Sequence, residues 1–163
     1  MLLYKSSDLN CKRQRHDRLC HFVALPVLFV AGAALAGGRN LSARELNGTY
    51  RHRQSEIEVF AVGHHKVRVH FALVYEIGSP EGPSANMGDA AGEATIEGDT
   101  AVFQPEGSDH CRITLKFLRR GKLLVTQEGD DSECGFGQNV RADGVYRKIS
   151  GGKPKFEPIL GTG

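Results

Sequence analysis

Residues 66–77, KVRVHFALVYEI, alternate along the chain with a period of two. Val67, Val69, Phe71, Leu73, Tyr75 and Ile77 fall on one face of an extended segment, and Arg68, His70 and Glu76 on the other. Successive side chains of a strand point to opposite sides of its sheet, so this pattern specifies a strand with one face in a core and one toward water. Such a strand needs partners along both edges, and the rest of the chain supplies them.

The same period recurs in short runs over residues 49–54, 56–62, 93–98, 100–105, 110–118, 122–128 and 144–149. Turn signals separate them, among them Gly98-Asp99 and the Arg-Arg-Gly at 119–121. Strands at roughly 8–12-residue spacing joined by turns indicate an all-β sandwich or barrel. We expect an antiparallel meander of about eight strands, closed or nearly closed into a lipocalin-like barrel. No long segment repeats apolar residues at helical spacing. The one helical signal is NLSARELNG (40–48), where Ser42 and Glu45 have capping-box spacing and Gly48 ends the turn. Residues 78–92, GSPEGPSANMGDAAG, hold two prolines and four glycines and show no period. They are expected to form a long loop, and loops of that length in a compact domain are functional or mobile.

The N-terminal residues read as a leader. Five basic residues, Lys5 to Arg18, precede an uncharged apolar run over 22–36 that ends in Ala34-Leu35-Ala36. A basic n-region, an apolar stretch of about 15 residues and a small-x-small site make an export signal. About 20 apolar residues are needed to span a bilayer, so no membrane span is expected. The expected division is a signal peptide over 1–36, a barrel domain over 37–150 and a tail over 151–163, disordered or draped on the surface. The expected location is the periplasm or the medium.

Removing the leader changes the electrostatics. The whole chain has 21 Lys+Arg and 19 Asp+Glu, of which the leader holds five and two, leaving 16 and 17. A net charge near −1 with no clustered basic face gives no basis for nucleic-acid binding. The cysteines simplify too, because Cys11 and Cys20 fall in the leader and only Cys111 and Cys134 remain. Two cysteines in an exported chain are expected to pair.

The most unusual stretch is CGFGQNVRADGVY, Cys134 to Tyr146. It reads as a corner stapled by the disulfide, with Gly135 and Gly137 supplying positive φ angles and Phe136 plugging a barrel end. Its ADGVY also matches LNGTY (46–50): a turn residue, Gly, a β-branched residue and Tyr. If the first and last strands pair, the barrel closes without a free edge, and Tyr50 and Tyr146 flank the seam.

Cys111, Ile113, Thr114, Leu115 and Phe117, then Val125, Gln127 and Gly129, then Cys134–Gly137 with Val140, Gly144 and Tyr146 form a pattern. This C-terminal third resembles a group of small exported bacterial proteins of largely unknown function, some of whose related domains are labelled lysozyme-inhibitor-like. The resemblance implies a binding role of the lysozyme-inhibitor kind, and the acidic residues 128–133 would suit a basic partner such as a lysozyme. The short motif by which C-type lysozyme inhibitors enter their target's cleft has no counterpart here.

Candidate chemistry is sparse. His52, His64, His65, His70 and His110 lack an evident converging arrangement, and zinc needs three or four ligands on one point. Asp130, Asp131 and Glu133 lack the alternating spacing of a calcium loop. There is no G-x-S-x-G elbow, P-loop or dinucleotide fingerprint. No metal, cofactor or catalytic residue is expected, and the chain is read as a monomeric binding protein rather than an enzyme. The alternative is a carrier with an apolar ligand in its lumen. Bulky inward residues leave little lumen, which favours recognition by loops at one barrel end. Asn86 and Met87 are the candidates in the 78–92 segment, with Asp130 and Asp131 offering charge to a cationic partner.

Overall fold

Eight antiparallel strands follow one another around a closed barrel in sequence order. They are β1 (Gly48–His52), β2 (Ser55–Gly63), β3 (Lys66–Ser79), β4 (Gly82–Glu97), β5 (Thr100–Phe103), β6 (Arg112–Leu118), β7 (Lys122–Glu128) and β8 (Gly144–Gly151), preceded by one helical turn, α1 (Ala43–Leu46). The computed structural model describes residues 39–80 and 82–156. The leader expected over 1–36 lies outside the described residues.

The alternation in β3 places Val67, Val69, Phe71 and Leu73 in the core at 0–1% exposure. Ile57 and Val59 of β2, Ile113 and Leu115 of β6, and Leu123 and Val125 of β7 meet them there, all at 0–1%. Tyr75 and Ile77 share the face but leave the core. β2 pairs with β3 only as far as Glu56↔Ala72, so the β3–β4 ladder runs on past the rim as a two-stranded arm. Tyr75 is consequently 43% exposed.

The segment expected to be a loop over 78–92 is largely strand: residues 78–79 end β3 and 82–92 open β4. All 14 register pairs from Lys66↔Thr95 to Ser79↔Gly82 join the two strands. Glycine stands here for a different reason than turning. Gly88, Ala90, Gly92 and Ala94 alternate toward the barrel interior, across from Leu73, Phe71, Val69 and Val67. A Cβ on Gly88 would lie 2.8 Å from the Phe136 ring, and one on Gly92 would lie 2.9 Å from that of Phe103. The small residues make room for rings arriving from elsewhere.

Closure is made by β1 and β8, from Gly48↔Gly151 to Arg51↔Arg147, with an irregularity between Thr49 and Tyr50. The two G-x-Y segments are structural twins. Tyr50 donates its hydroxyl to the carbonyl oxygens of Leu46 (2.8 Å) and Glu45 (3.0 Å), and Tyr146 donates to that of Ala142 (3.1 Å). Asn47 Oδ1 accepts the Ala61 N–H at 2.7 Å, and Asp143 Oδ1 accepts the Gln127 N–H at 2.9 Å. Each turn thus locks the entry of its strand onto the neighbouring one. Gly48 is obligatory here, since its φ is +147° and a Cβ would lie 2.1 Å from the Ser150 carbonyl oxygen.

Ser42 and Glu45 bond as their spacing predicts, with Ser42 N–H and Oγ–H both donating to Glu45 Oε2 at 3.0 and 2.9 Å. At the far end of the chain, Lys153 lies 5.2 Å over the Phe60 ring and Pro154 is buried, so residues 152–156 lie along the barrel.

Candidate binding surface

β4 pairs with β5 over only three residues, Thr95 to Glu97. Above Thr95 the wall needs another partner, and the stapled corner provides one. Cys111 and Cys134 form the expected disulfide, with Cα atoms 5.0 Å apart across 23 positions. Phe136 (7% exposed) and Val140 (1%) then pack onto β4 at Gly88.

Gly135 adopts a positive φ of 73°, as the sequence predicts. Gly137 does not, and its glycine answers a close approach instead. Its N–H donates to the Met87 carbonyl oxygen at 3.1 Å, and a Cβ would lie 2.5 Å from that oxygen. The left-handed residue near the end of the corner is Asn139, at φ 61°.

This corner brings all four candidate residues into one neighbourhood. Asn86 donates through Nδ2 to the Gln138 carbonyl oxygen at 2.7 Å, next to the Gly137–Met87 bond. Asp131 accepts the Ser132 N–H at 2.9 Å through one oxygen and the Asn139 N–H through the other. Asp130 lies one step further along and accepts from Glu133 N–H (2.8 Å) and Ser132 Oγ–H (2.9 Å). Those two bonds, the Glu133 backbone first, hold its carboxyl below the usual carboxylate range. The side chains of Asn86, Asp130 and Asp131 therefore build the corner. Only Met87 presents an uncommitted side chain, 71% exposed.

Gln127 belongs to the C-terminal pattern, but its role emerges only from the structure. Its buried amide accepts the Ala142 N–H at 2.8 Å and donates to the carbonyl oxygens of Gly129 (3.4 Å) and Asp130 (3.3 Å). It joins the two legs of the corner from inside. A polar residue at an inward position of β7 is the signal that could have found it.

The histidines are scattered. His64 and His65 form the β2–β3 turn, both with positive φ (50° and 59°). His70 lies on the outer face between two carboxylates, its Nδ1 3.4 Å from Glu58 and its Nε2 2.9 Å from Asp89. Those carboxylates sit on opposite sides of the ring and do not converge on a common point. Among the described residues, no group of three or more His, Cys, Asp or Glu is arranged to hold a metal ion. Among them too, no helix is long and apolar enough to cross a membrane.

Comparison with protein-family models, curated proteins and solved structures gives no match. Function must be read from the surface itself.

Proposed function

We propose that the chain is a small exported binding protein that recognises a protein partner with its β3–β4 arm and the corner clamped to the arm's root. One observation carries this reading: the arm leaves the barrel with Tyr75 43% exposed on one face and Met87 71% exposed on the other, while main-chain and amide bonds to the corner fix it in place. Apolar anchors held on a rigid frame bind without a large ordering cost. The acidic corner beside them, with Asp130 and Asp131, suits a basic partner such as a lysozyme, which is also what the C-terminal resemblance implies. The packed lumen supports surface recognition over carriage of an apolar ligand.

The test is binding of the purified protein to an immobilised basic lysozyme, compared with Met87→Glu and with Asp130→Lys/Asp131→Lys. Capture that both variants weaken supports the reading. No capture by the unaltered protein removes the lysozyme assignment.

A further inference from the structure

The Arg119-Arg120 pair lies at the end of the barrel opposite the arm, in the turn from β6 to β7. Folding surrounds it with cations that are distant in sequence. A cleft of about 230 Å³ there is lined by Arg39, Arg119, Arg120, Lys122 and Lys148, against a single carboxylate, Glu45. Its floor is apolar and aromatic, formed by Leu41, Tyr50 and Phe117. The domain as a whole is nearly neutral, so this is a strong local surplus of positive charge.

Much of the opposing capacity is already engaged. Glu45 takes two hydrogen bonds from Ser42 and lies 3.6 Å from Arg39. Lys148 donates to the carbonyl oxygens of Arg44 (3.2 Å), Glu45 (2.7 Å) and Asn47 (2.9 Å), with its ammonium 5.2 Å over the Tyr50 ring. It therefore contributes field to the cleft rather than a free donor. Burial holds its ammonium below the ordinary lysine range, with Glu45 opposing that shift. Arg119, Arg120 and Lys122 make no ion pair among the described residues. Arg120 is also kept at a left-handed position, φ 63°, where asparagine or glycine would sit with less strain.

We infer that this cleft is a binding site for a small organic oxyanion, a carboxylate or phosphate ester, whose charge meets Arg119, Arg120 and Lys122 and whose apolar stem lies against Phe117 and Leu41. Guanidinium forks match both oxyanions in geometry, and a partly enclosed site strengthens each charge-assisted bond. The inference is independent of the proposed protein-binding arm, because the two surfaces share no residue and lie at opposite barrel ends.

Phenyl phosphate is the probe. Titrated into the purified protein, it is expected to give saturable amide shifts at Leu118, Gly121 and Lys148. Phenol, which lacks the charge, should give none, and inorganic phosphate, which lacks the stem, should bind more weakly. Arg119→Ser with Arg120→Asn preserves the turn and should weaken phenyl phosphate binding about tenfold or more. Met87→Glu, at the other end, should leave it unchanged. Vesicles separate two sources of the oxyanion. Co-sedimentation with phosphatidylglycerol but not phosphatidylcholine vesicles, lost in the double variant, assigns it to a lipid headgroup. Phenyl phosphate binding without vesicle binding assigns it to a free ligand. Absence of saturable shifts at millimolar phenyl phosphate overturns the inference. So do shifts that persist in the folded double variant, and vesicle binding without phenyl phosphate binding.

Discussion

Tyr50 and Tyr146 each donate the phenol hydroxyl to a carbonyl oxygen four residues upstream, at Leu46 and Ala142, and each is 1% exposed. β1 and β8 are antiparallel neighbours, so the two tyrosines sit toward opposite ends of the same seam, each tying down the entry of its own strand. They are not cross-strand partners: Tyr50 is paired with Lys148, and the Tyr146 ring packs 5.4 Å from that of His52. Replacing either by phenylalanine removes a buried bond and should cost about 1 kcal/mol, read from denaturant midpoints. An unchanged midpoint would show that the hydroxyls do not secure the strand entries.

The same two phenols should make the fold sensitive to alkali. Burial pushes both above the ordinary tyrosine range, with the charge of Asp143 adding to the shift at Tyr146. Unfolded tyrosines ionise near pH ~10, so the stability these residues contribute is complete below that value. It is lost as pH rises beyond it toward their folded-state values, by roughly 1.4 kcal/mol per pH unit for each phenol. Denaturant midpoints at about pH 9 and about pH 11 should therefore diverge in the native sequence and differ less in Tyr50→Phe/Tyr146→Phe.

Gly137→Ala should be more damaging than its chemistry suggests. The added methyl would meet the Met87 carbonyl oxygen at 2.5 Å, in a place where only backbone can yield. A loss of about 1–3 kcal/mol is expected, together with faster amide exchange at position 137, as the corner lifts from β4. Gly135→Ala tests a different constraint, a φ of 73°, and should cost about 1 kcal/mol without detaching the corner.

The disulfide closes a 23-residue separation, for which chain entropy gives roughly 3 kcal/mol. Cys134→Ala should lower the melting temperature and leave the barrel formed. Two thiols titrating in unfolded, unreduced domain would contradict the pairing.

Export is tested by intact mass. Protein recovered from the periplasm or medium should lack residues 1–36, and a mass matching all 163 residues would refute cleavage.

Much of the barrel was legible because its strands obey the period-two rule with large residues, as at Val67–Leu73 and Ile113–Phe117. β4 was not, because its inward residues are Gly88, Ala90, Gly92 and Ala94, and small residues carry little hydropathy signal. Their alternation makes sense only once Phe103 and Phe136 are known to lie against them, and the Phe136 ring comes from a distant part of the chain. The candidate residues were found in part for the same reason. Asn86 and Met87 stood out as the centre of a loop that is really a strand, yet the corner does dock at that point. The cationic cleft could not be read at all, since Arg39, Arg119 and Lys148 meet only through the seam and the β6–β7 turn.

The seam also bears on the order of assembly. Gly48 and Gly151 are 103 positions apart, whereas every other strand pairs with a neighbour close in sequence. The local hairpins, above all the 14-pair β3–β4 ladder, can form as soon as their own residues are available. A chain made from its N-terminus therefore carries β1 with one unpaired edge until β8 has been synthesised. For that interval the growing molecule is an open sheet, able to recruit a strand from another copy. Pairing of β8 with β1 converts that sheet into a closed object.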